Sequence, residues 1–103
     1  MADSNSNQTK PDEAFWRVAD TLIDSGNKQA TEVDRSVVSA GFIYAASRFN
    51  SFVIASQCGS KEALEAEKAA AIEYFVNQYK IALTENITDY QANFDKYINT
   101  QLR

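Results

Sequence analysis

A chain of 103 residues is one domain by size, and 45% apolar residues are enough to form a core without disulfides or metals. The net charge of −4 and the lack of any Lys/Arg cluster argue against nucleic acid and anionic membranes as partners. One cysteine excludes an internal disulfide and suits a reducing compartment.

Residues 1–10 are polar beyond Met1 and Ala2. They cannot repay the entropy of ordering, so they read as a disordered N-terminal arm. They also lack the apolar stretch of a signal peptide, and no apolar run approaches the roughly 20 residues that cross a bilayer. The expectation is a cytoplasmic protein with a single helical domain over 11–103.

Pro11 begins the first helix, where its missing N–H costs nothing, and Asp12 and Glu13 suit the positive end of the helix dipole. Phe15, Ala19, Leu22, Gly26, Gln29 and Val33 recur at steps of four and three, and Trp16 and Ile23 widen that stripe. Gly26 has two readings: close approach of a neighbouring helix, or a break near 25–27.

Asp34 is placed to cap a second helix running to about Gln57. Val38, Phe42, Ala45, Phe49, Phe52, Val53 and Ser56 share one arc, and Ile43, Ser47, Asn50 and Ile54 form a second. A helix apolar on most sides is a buried one, so this helix is expected at the centre of the fold. Gly59 stops it, and Ser60 caps a third helix with its seam on Leu64, Ala71, Phe75, Gln78 and Ala82. Thr88 and Gln91 read as a capping box, stapled by Ile87 onto Ala92, that opens a short fourth helix carrying Tyr90, Phe94, Tyr97 and Ile98. No strand pattern appears. The expected fold is all-α: an antiparallel bundle of three long helices with a short fourth C-terminal helix.

The chain has no histidine, which removes the commonest general base and metal ligand. It has no cysteine pair for zinc and no glycine-rich phosphate loop. No cofactor or metal is expected, and an enzyme is argued against. Asp20 and Asp24 read as a solvated face. Cys58, at a helix C-terminus where the dipole disfavours a thiolate, reads as a small half-buried apolar group.

Arg48 and Asn50 stand out by interrupting the central helix. A buried guanidinium must be paired, and Asp20, Asp24 or Glu85 are candidate partners. Two readings follow. The first is a buried polar network that fixes helix register within a non-enzymatic interaction module that pairs with itself or another protein, since the apolar surface of the central helix is more than two neighbours can cover and the last helix is Tyr-rich. The second is a pocket lined by Tyr44, Arg48, Asn50 and Tyr79, with Arg48 as a fork for a small anionic ligand.

The strings Phe15-Trp16-Arg17-Val18-Ala19-Asp20, Tyr44-Ala45-Ala46-Ser47-Arg48-Phe49-Asn50, Ile72-Glu73-Tyr74-Phe75-Val76-Asn77-Gln78-Tyr79 and Asn93-Phe94-Asp95-Lys96-Tyr97 resemble the domain-of-unknown-function 3144 family. The resemblance implies a small bacterial helical protein with no assigned activity. It transfers no functional residue.

Overall fold

The computed structural model describes residues 11–99. The expected arm at 1–10 lies outside them. Of the described residues, 91% are helical and none is in a strand. The elements are α1 (Pro11–Gln29), α2 (Arg35–Cys58), α3 (Lys61–Ala92) and a single π-helical turn, here α4 (Asp95–Asn99). Three long helices and a short C-terminal one match the sequence pattern. The chain divides into two compact units within α2, Met1–Ala45 and Ala46–Arg103.

In the first unit α1 runs unbroken through Gly26 to Gln29. The close-approach reading of that glycine is therefore the correct one. Gly26 is the single buried residue among those described. A Cβ built there would overlap the ring edge of Phe42 and touch Val38 at 3.5 Å, so the missing side chain is what lets α2 close in. Main-chain turns then end α1: Thr31 donates its N–H to the Lys28 carbonyl at 3.2 Å, and its hydroxyl donates to the same oxygen at 2.8 Å. Asp24 and Lys28 pair at 3.2 Å, one turn apart. Both are exposed, so the pair is worth a few tenths of a kcal/mol. The carbonyl of Asp34 accepts from the N–H groups of Val37 and Val38 and opens α2, where the sequence suggested the carboxylate.

In the second unit Gly59, at φ 81°, ends α2 in the left-handed region that glycine occupies without a Cβ clash. Its N–H donates to the Ala55 carbonyl at 3.1 Å. The Ser60 hydroxyl then accepts from the Ala63 N–H at 3.1 Å and caps α3, as its position predicts. Asn50, Val53, Ile54, Ala55 and Cys58 of α2 and Ala63, Leu64, Ala71 and Phe75 of α3 are the half-buried side chains of these two helices here.

Two expectations fail. The first is the break at 86–88: α3 is continuous to Ala92. No glycine or proline lies in that stretch, so nothing forces the ladder open. Asn86 turns its amide back to the Ala82 carbonyl at 2.8 Å and stays helical. The second is the buried centre. Neither α2 nor α3 has one buried residue, and Phe49 and Phe52 are each 67% exposed.

The Gly26–Phe42 contact sets two effects against each other. An alanine at 26 gains up to about 1 kcal/mol of helix propensity but meets the Phe42 ring. Gly26→Ala is expected to raise the melting temperature in a Phe42→Ala background and to lose that gain in the wild-type background. Thermal melts of the four-member cycle at fixed protein concentration check this.

Candidate interaction surface

The α2–α3 contact of the second unit is narrow. Ile54 and Ala71 line an open groove on each side of it, of about 730 Å³ and about 550 Å³. The larger groove has Ser47, Asn50, Ser51 and Ile54 on its α2 wall. Its α3 wall carries Lys61, Leu64, Glu65, Lys68, Ile72, Phe75 and Val76. Ile72 and Val76 remain 54% and 62% exposed. The smaller groove runs past Cys58 to Tyr74.

Apolar exposure is not confined to the groove. Phe49 and Phe52 fall on the arc that Val38 and Phe42 begin, and that face of the second unit is bare. In the first unit, α1 leaves Phe15, Trp16, Val18, Leu22 and Ile23 between 54% and 61% exposed. Monomeric proteins rarely show contiguous apolar patches beyond a few hundred Å², and larger ones mark contact surfaces. By length and composition α2 could also cross a membrane: it has 24 residues, with mean hydropathy 1.3 over its most apolar stretch.

The four residues singled out from sequence are placed as follows. Asn50 is half-buried and lines the larger groove. Arg48 is exposed, lies outside that groove's lining, and has no ion pair among the described residues. Of its candidate partners, Asp24 pairs with Lys28 instead. Tyr79 is 55% exposed on α3, three residues beyond Val76. Tyr44 is 65% exposed and belongs to the first unit. Sequence reasoning passed over Lys61 and Lys68. Their spacing of seven puts both on the helix face that also carries Ile72 and Phe75, and that was the available signal.

A separate polar clasp holds the C-terminal end. Asp89 accepts from the Tyr97 hydroxyl at 2.8 Å and from the Asn93 side-chain amide at 3.0 Å. The Tyr90 and Tyr97 rings meet at 4.5 Å, and Lys96 lies 5.8 Å from the Tyr97 ring centre. Among the described residues no group of three His, Cys, Asp or Glu side chains is arranged to hold a metal.

These features define a class: an all-helical protein of two small units whose most prominent surface is apolar and laterally open. The chain belongs to the family described as "Protein of unknown function (DUF3144)", which matches residues 15–91. No curated protein and no solved structure matches it.

The hydrogen bond to Asp89 raises the Tyr97 pKa above its usual value near 10, with desolvation and the carboxylate's charge adding to it. A raised folded-state pKa means a contribution fully present below the unfolded value and lost as pH rises through the folded one. The expected result is that Asp89→Asn lowers the pH at which the Tyr97 phenol ionises, read from its ring resonances in an NMR titration.

Proposed function

We propose that this protein is a non-enzymatic helical interaction module whose stable form is a pair of identical chains. The observation that carries the reading is the absence of any buried apolar residue in α2 and α3. Isolated helices draw little stability from propensity and depend on packing an apolar face. A chain in this condition needs covering.

The area available supports a second copy. Phe49, Phe52, Ile72, Tyr74, Val76 and Tyr79 of the second unit are 54–67% exposed. At side-chain areas on the order of 200 Å² they expose roughly 700 Å², divided among the Phe49/Phe52 face and the two sides of α3, against the ~800 Å² per partner of a standard interface. A two-fold pair is self-complementary and needs no other component.

A bilayer is a poorer cover for α2. Arg48 lies near the middle of that helix, where a charge in lipid costs about 2.5–3.5 kcal/mol or more. Asn50, Ser47 and Ser51 add polarity beside it. The exposed apolar residues of α1 and α3 would also stay uncovered. The reading places the protein in water, and the cytoplasm is the setting we propose for it.

Light scattering on a size-exclusion column at micromolar concentration tests this. The expected mass is twice 11.5 kDa, with a melting temperature that rises with concentration. Phe49→Glu with Phe52→Glu should lower both mass and helicity. A monomer melting cooperatively at a concentration-independent temperature would overturn the proposal. So would sedimentation with phosphatidylcholine vesicles in place of pairing.

A further inference from the structure

Half-buried Leu64, Ala71 and Phe75 mark the side of α3 that meets α2. About 100° around the helix lies a second apolar line, at 100° per residue. Ile72, Val76, Tyr79, Leu83, Ile87 and Tyr90 recur there at steps of three and four, within an arc of about 80°. All six are 41–62% exposed, and they run for about 27 Å at 1.5 Å per residue. This is the seam of a coiled coil with no second helix on it.

The flanks of the seam carry charges in a self-complementary order. Glu73 and Lys80 stand seven residues apart on one flank. Lys68, Phe75, Ala82 and Asp89 follow at the same interval on the other. The four charged residues are exposed, and none has an ion pair among the described residues. Asp89 accepts from Tyr97 and Asn93, and a carboxylate has lone pairs for a further donor.

In an antiparallel pair of such seams, residues on the same flank of the two helices meet. Layering Ile72 of one chain on Leu83 of the other, and Val76 on Tyr79, brings Glu73 to Lys80 and Lys68 to Asp89. Two-fold symmetry makes each of those ion pairs twice. The same register sets Ile87 against Ala66 and Phe75 against Ala82, large against small. A slip of one heptad opposes Glu73 to Glu73 in one direction and Lys80 to Lys80 in the other. A parallel pair keeps Lys68 near Glu73 but leaves Lys80 and Asp89 facing no opposite charge. The charges select direction and register more than they add affinity.

We propose that two copies pair through this stripe, α3 antiparallel to α3, about a two-fold axis between Asn77 and Gln78. The inference rests on the pairing proposed above and adds the helix, the direction and the register. The contact uses one helix of the second unit and its copy.

Charge reversal tests it. Glu73 and Lys80 have no charged residue three or four positions away, so reversing either leaves the helix's own pairs untouched. Glu73→Lys sets lysine against lysine across the axis, and Lys80→Glu sets acid against acid, twice in each case. Each variant should self-associate on the order of tenfold more weakly than wild type at low salt. The Glu73→Lys/Lys80→Glu double variant should recover association, and so should an equimolar mixture of the two single variants. Sedimentation equilibrium reads all four. If the double variant stays as weak as the single ones, the helices do not meet in this direction and register, and the inference is overturned. If the single variants pair as tightly as wild type while Phe49→Glu/Phe52→Glu does not, another face forms the contact, and the inference fails while the pairing stands. A monomeric wild type removes the pairing itself.

Discussion

The constraint on which this structure depends is that the apolar faces within each unit exceed what the two helices meeting there cover. Helix α2 carries apolar side chains on most of its circumference, and within each unit it meets only one other helix. A helix–helix contact covers one stripe of a cylinder and leaves the rest. The open grooves beside Ile54 and Ala71 and the bare Phe49/Phe52 face are therefore the same fact seen at two places. The proposed self-pairing would answer that one excess.

How closely helices approach depends on small residues at the contact. In the first unit this is Gly26, whose absent Cβ makes room for the Phe42 ring. In the second, Ala63 and Ala71 stand on the α3 side of a narrow seam. Small residues permit approach but bury little area. A seam built on them holds two helices side by side and leaves the large aromatics at its edges, where a partner can reach them.

The local punctuation of the fold was legible in the sequence. Gly59 and Ser60 mark a stop and a start by backbone chemistry that operates over three or four residues, and Asp34 marks another start. Gly26 left two readings open in the sequence, close approach or a break, and the unbroken α1 with the Phe42 ring beside it decides for the first. The capping box at Thr88 misled because the same residues fit a helix interior, and only a competing breaker would have turned the signal into a break. The burial of α2 misled for a different reason. Periodicity shows that a face is apolar, and says nothing about whether the same chain supplies the cover. Arg48 and Asn50 stood out because they interrupt a pattern. Lys61 and Lys68 did not, since lysines on a helix look like solvent-facing residues until a groove is seen beside them.

The unbroken length of α3 has a further consequence. Its 32 residues extend about 48 Å, while the part of α2 within the same unit, residues 46–58, spans about 20 Å. More than half of α3 therefore extends beyond the α2 segment of its unit. Protection of its amide hydrogens against solvent exchange should decline from the Ser60 end outward, because opening there breaks only ladder bonds. The Asp89 clasp pins the far end locally and makes it the second point from which order can spread.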